Sequence, residues 1–150
     1  MSGACARAEQ RYSSAMRIIG HGVDLVENAR IAALVDAHGA AFLERVFTPA
    51  ERAYAEAGKR RRIERYAARF AAKEAVLKAL GTGWRDGIAW RDVEILKMPS
   101  GEPRILLGGR CAQVAEELGV ADWRASLSHT DLYAMASAIA FGPTASSASL

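Results

Sequence analysis

Cysteine is nearly missing from this 150-residue chain, which has only Cys5 and Cys111. Two thiols so far apart make neither a zinc-ligand spacing nor a disulfide framework, so Cys111 reads as a small apolar core residue. No apolar run is long enough to cross a bilayer, and the opening MSGACARAEQRYSSA has no apolar stretch to serve as the core of a signal peptide. These two absences predict a cytoplasmic protein with no membrane partner. Charge of one sign is lacking too: 20 Lys and Arg against 17 Asp and Glu leave +3. With 51% hydrophobic and 25% charged residues, the balance is that of a folded globular chain, neither disordered nor fibrous. There is no Walker motif, no G-x-G-x-x-G unit between strand and helix, and no internal repeat. Ser126 and Ser128 stand near His129, but without a nucleophile elbow they make a poor hydrolase triad.

The length suits one domain with a sizeable core. Residues 1–16 are small, polar and aperiodic, and 143–150 resemble them, so both ends read as tails around a domain at 17–142. RIIGHGVDLVE (17–27) is a β-rich first strand ending near Asp24. Asn28 then caps a helix carrying Ile31, Leu34, Val35 and His38, with Gly39 as its stop. In FTPAE (47–51), Thr48 caps, Pro49 takes the first helical position and Glu51 completes a capping box. The basic run KRRRIER (59–65) leads into a long helix at 62–80 that GTG (81–83) closes. From residue 88 the period changes to two: WRDVEILKM and PRILLGG flank a PSGEP turn, CAQVAEELG is a short helix, and ADWRASLSH with YAMASAIAF makes a hairpin. The last strand alternates large residues with alanines, a small-residue face against which another element can pack closely. The fold class is α+β, an antiparallel sheet packed on one long helix.

Within RFAAKEAVLKALGTG (69–83), Phe70, Glu74, Leu77 and Gly81 share one stripe of the helical wheel, which aims a carboxylate at the core. Such an acid needs a partner. Asp24, at the end of the first strand, and Glu74 together offer oxygen-only donors that suit Mg²⁺, whose coordination is completed by water and substrate phosphates. A Glu74–Lys78 surface pair is the plain structural alternative. Lys73 and Lys78 flank Glu74 and Arg69 lies one turn back, so all three can hold phosphates beside a metal. The amides of Gly81 and Gly83 can join them, although the same glycines also make an ordinary helix stop.

In order and spacing, GHGVDLVENARI (20–31), FTPAE (47–51), RFAAKEAVLKALGTG (69–83), PRILL (103–107) and SLSHTDLYAMASAI (126–139) resemble the holo-[acyl-carrier-protein] synthases, the short class of 4'-phosphopantetheinyl transferases. The resemblance spans 17–142. It implies transfer of the phosphopantetheine arm of coenzyme A to a serine of apo acyl carrier protein, with Mg²⁺ held at the positions matching Asp24 and Glu74. Lys78 would steady the pyrophosphate, while Arg69 and His129 would take the nucleotide's phosphates. Asp24, Glu74 or a water on the metal can each accept the serine proton. Some relatives carry a hydroxyl residue where this chain has Leu77, so no chemistry is placed there. The same resemblance implies a homotrimer with sites between subunits, and an acidic carrier met by Arg30 and by Arg45. Two other classes remain: a metal-dependent nucleotide phosphohydrolase using the same carboxylates, and a nucleic-acid-binding module built on 59–65, which the transferase reading excludes as a partner.

Overall fold

In the computed structural model, which describes residues 15–85 and 87–144, the alanine-rich segment forms a 19-residue helix, Arg62–Leu80, ended by Gly81 in the left-handed conformation at φ 75°. Among the described residues that helix is the third of four. The chain runs β1 (Met16–Glu27), α1 (Asn28–Val46), α2 (Pro49–Glu56), α3 (Arg62–Leu80), β2 (Val93–Lys97), β3 (Pro103–Leu107), α4 (Gly109–Glu117), β4 (Asp122–His129) and β5 (Tyr133–Pro143), with 3₁₀ turns at Lys59–Arg61 and Trp90–Asp92. The α+β class holds, with the strands divided between an antiparallel β1-β5-β4 sheet and a separate β2-β3 hairpin. β1 begins at Met16 and β5 ends at Pro143; the expected tails otherwise fall largely outside the described residues. No helix among the described residues is long and apolar enough to cross a membrane.

Small residues bring α3 onto the sheet. Ala134, Ala136, Ala138 and Ala140 are all buried on one face of β5, as the alternation predicts. On β1, Gly22 lies so close to α3 that a Cβ there would collide with the Ala75 carbonyl oxygen and stand 2.8 Å from Ala79 N. Gly20 meets the Ala79 carbonyl in the same way. With the sheet on one side and α1, α2 and β2 on others, α3 is buried almost all round from Tyr66 to Leu80.

Three local expectations change. β1 continues past Asp24 to Glu27, because its pairing with β5 runs on to Glu27↔Tyr133. Asn28 does not cap α1: Glu27 occupies that position without a side-chain bond, and Asn28 Nδ2 instead donates to the carbonyls of Thr130 and Asp131, each at 3.0 Å. Gly39 interrupts the helix (φ 54°, ψ −133°), yet the chain resumes helical turns to Val46. The Thr48 capping box forms as the sequence predicts: Glu51 N donates to Thr48 Oγ1 at 3.3 Å and Thr48 N to Glu51 Oε2 at 2.8 Å.

Candidate active site

The wheel aimed Glu74 inward, but the structure buries its neighbour. Lys73 is fully enclosed, its Nζ 2.9 Å from Glu51 Oε2, and it donates to the carbonyls of Trp90, at 3.2 Å, and Val93. Burial pulls the ammonium below its ordinary 10.5 while Glu51 pulls it back up. Glu51, equally enclosed, also accepts the Ile95 N–H at 2.8 Å. Lys73 thus ties α3 to α2 and β2 and has no donor left to offer a phosphate, which corrects the expectation placed on it. A wheel separates faces only when one of them is wet, and α3 has no broad wet face.

Glu74 is half-buried beside this core. Its Oε1 accepts the Trp84 indole N–H at 3.0 Å. One turn on, exposed Lys78 donates to Asp24 Oδ1 at 3.0 Å and to the Val23 carbonyl at 2.9 Å. Asp24 reaches that lysine because it shares the inward face of β1 with Gly22, whose missing side chain lets α3 approach. The carboxylates and Lys78 therefore collect at one edge of the α3–β1 contact. Among the described residues, no three His, Cys, Asp or Glu side chains converge on one point. Two partly buried carboxylates with oxygen donors, one already holding an ammonium, fit a divalent cation that keeps most of its sites for water and phosphate oxygens. Gly81's amide is not free for a phosphate, since it closes α3 on the carbonyls of Leu77 and Lys78; Gly83 is left-handed at φ 57°.

Arg69 and His129 meet elsewhere, in a cavity of about 290 Å³ between α3, β2 and β4 that Arg61, Arg65 and Lys97 also line. Arg69 is 5% exposed, and its Nε has no partner among the described residues. Burial draws its guanidinium below the ordinary arginine range, with Tyr54 and Glu51 opposing. The guanidinium carbon lies 3.9 Å from the centre of the Tyr54 ring, with those of Arg65 at 4.3 Å and the Lys97 ammonium at 5.8 Å. His129 Nδ1 is 3.4 Å from Glu64 Oε2. A desolvated arginine ringed by further cations favours an anion. Sequence reasoning missed Tyr54, Arg61, Arg65 and Lys97; the signal available was Arg61, Arg65 and Arg69 at i, i+4 and i+8, one helical stripe that continues past what read as a charge run.

Arg30 and Arg45 are both exposed on α1, to either side of the Gly39 break. Arg30 lies over the Phe70 ring at 5.9 Å, and Arg45 stands in the last turn.

Residues 20–138 match the 4'-phosphopantetheinyl transferase superfamily. The chain is 48% identical over 122 residues to the holo-[acyl-carrier-protein] synthase of Solibacter usitatus, covering 81% of this chain and 97% of that protein. It is 50% identical over 129 residues to that of Desulforudis audaxviator, with 86% and 97% covered. Among solved structures, the Neisseria meningitidis holo-[acyl-carrier-protein] synthase shares the fold at a TM-score of 0.76 and 33% identity, covering 83% of this chain and 98% of that one. The Helicobacter pylori enzyme, solved in complex with coenzyme A, gives 0.68 at 30% identity, covering 80% and 98%. By the span of these matches and the shared architecture, the chain belongs to the 4'-phosphopantetheinyl transferase superfamily, in its holo-[acyl-carrier-protein] synthase class.

Proposed function

We propose that the protein transfers the 4'-phosphopantetheine group of coenzyme A to a serine hydroxyl of apo acyl carrier protein, releasing adenosine 3',5'-bisphosphate. The observation that carries this is a pair of sites suited to the two ends of one phosphorylated ligand: the Asp24–Lys78–Glu74 edge for a pyrophosphate, and the cationic cavity of Arg69 and His129 for the nucleotide's phosphates. Asp24 and Glu74 would hold Mg²⁺, which when bound neutralises charge on the pyrophosphate. Lys78 is released from Asp24 to bond a phosphate oxygen. Arg69, already desolvated, gains a counter-charge it lacks. The attacking serine comes from the carrier, so this chain supplies no nucleophile.

Two features support sites shared between copies of the chain. Arg69 and Glu74 lie about 140° apart around α3, so one copy does not turn both toward a single ligand. Among the described residues the sheet face opposite α3 is also exposed, Leu25 by 61%, Val23 by 42% and Met135 by 43%, and Leu25 pairs directly with Met135. An apolar face of this kind is where a second subunit packs, and a cyclic homotrimer places neighbouring copies against it. Arg30 and Arg45 present positive charge on α1 to an acidic carrier.

The test is to incubate the protein with apo acyl carrier protein, coenzyme A and Mg²⁺ and to weigh the carrier. The carrier gains the phosphopantetheine mass only in the complete mixture, and D24A and E74Q each lower the rate by at least about 100-fold while keeping the fold. Full activity in both variants would remove the metal assignment, and loss of coenzyme A without a carrier would mark a hydrolase instead.

A further inference from the structure

The indole of Trp84 is a feature that the proposed reaction does not use. It follows Gly81 and Gly83, both with positive φ (75° and 57°), and these turns fold the chain back on α3. The fold-back brings Trp84 Nε1 to 3.0 Å from an oxygen of a residue ten positions earlier, Glu74 Oε1. The ring is not held by the loop alone. Its centre lies 3.5 Å from that of Trp90, and Trp90 stacks at 4.8 Å and 29° on Phe70, one turn before Glu74 on α3. The stack therefore runs from the indole bonded to Glu74 back to Phe70 on the same helix.

We propose that Trp84 is a positioning residue that holds Glu74 as a one-oxygen ligand for a small divalent cation, favouring Mg²⁺ over Ca²⁺. The inference rests on the assignment of Glu74 to the metal. Indole nitrogen is a donor only, so it occupies a lone pair on Oε1 and can neither accept a proton nor bind the cation itself. Oε2 is left as the oxygen whose lone pairs are free of the indole. A glutamate has three rotatable side-chain bonds, and a donor anchored on a ring stack freezes them before the cation arrives, which lowers the ordering cost of binding. Ligation through one oxygen suits Mg²⁺, which needs near-octahedral geometry and keeps its waters. Ca²⁺, with its larger shell, readily accepts both oxygens of a carboxylate, and Trp84 stands against that mode. W84F keeps an aromatic ring against Trp90 and removes the donor.

Binding of Mn²⁺ to the full chain with coenzyme A present, followed by electron paramagnetic resonance of the free ion and by competition with Mg²⁺ and Ca²⁺, tests this. W84F should weaken Mg²⁺ about 10-fold and Ca²⁺ by less, so that the preference narrows while the thermal midpoint stays near that of wild type. Unchanged Mg²⁺ affinity overturns the proposal, as does an equal loss for both ions. E74Q separates the two levels: if it binds Mn²⁺ like wild type, the metal assignment fails and Trp84's role with it; if E74Q is weakened and W84F is not, only the role of Trp84 fails. A second measurement needs no substitution at Trp84. Its indole N–H resonance in the wild-type protein should broaden with Mn²⁺ ahead of those of Trp90 and Trp123, and a Trp84 signal that broadens last refutes the proposal.

Discussion

Replacing Lys73 with methionine removes a cation from a place no water reaches. Lys73 and Glu51 are both fully buried with Nζ and Oε2 2.9 Å apart, and K73M leaves the carboxylate with the N–H groups of Thr48 and Ile95, each at 2.8 Å. Breaking a buried pair from one side costs about 3–5 kcal/mol. Two amide donors still solvate the carboxylate, which puts K73M at the lower end, about 3 kcal/mol. E51Q strands the ammonium instead, but a lysine has an exit because it can lose its proton. Its pKa in the fold is already lowered by burial from 10.5, so between the two values the unfolded chain binds more protons and stability rises with pH. Without Glu51 the ammonium loses the charge that pulls it back up, so the stability of E51Q should begin to rise at a lower pH than that of wild type, while K73M, with no ammonium there to titrate, lacks the rise. Losing both charges together should cost about 2 kcal/mol less than the two single changes added. Urea denaturation reads these effects: with a slope of about 1–3 kcal/mol/M, K73M moves the midpoint down by roughly 1–3 M. A K73M cost below about 1 kcal/mol, or strict additivity, would refute the account of the pair. A K73M protein of wild-type stability with weakened coenzyme A binding would return Lys73 to the phosphates.

G22A puts a methyl group into the backbone of α3, where Ala75 O and Ala79 N cannot swing aside; it should cost about 3 kcal/mol, the top of the usual overpacking range, and lower activity by shifting Asp24 from Lys78. Thermal melting together with the carrier assay checks it, and a wild-type melt would mean that the contact is not close. Glu56 is held below its ordinary 4.5 first by its hydrogen bond from Arg62, at 2.7 Å, against a smaller effect of burial. A lowered carboxyl stabilises the fold above 4.5 and loses that contribution as pH falls through its value in the fold, so melting temperatures of E56Q should fall less steeply with acid than those of wild type.

Much of the fold was legible in short windows. Thr48, Pro49 and Glu51 announce the start of α2, Gly81 the end of α3, and the alternating alanines of β5 the face that α3 covers. The site was legible in part. Lys78 and Asp24 do meet, and Arg69 and His129 do line one cavity, but Lys73 does neither. Lys73 and Glu74 are adjacent and chemically alike in their need for a partner, so the wheel ranked them by neighbouring apolar residues, and on a helix buried all round that ranking carries little.

By itself the sequence determined the periodic elements, the capping box of α2, the stop of α3 and the residue types able to hold phosphate and metal, because capping, side-chain period and donor chemistry act within a few residues of chain. Only the tertiary structure decided which charges are enclosed and which are offered. Glu51 meets Lys73 across 22 positions and Asp24 meets Lys78 across 54, and the balance of burial against pairing that sorts a structural lysine from a ligand-binding one exists only once those distant segments are packed together.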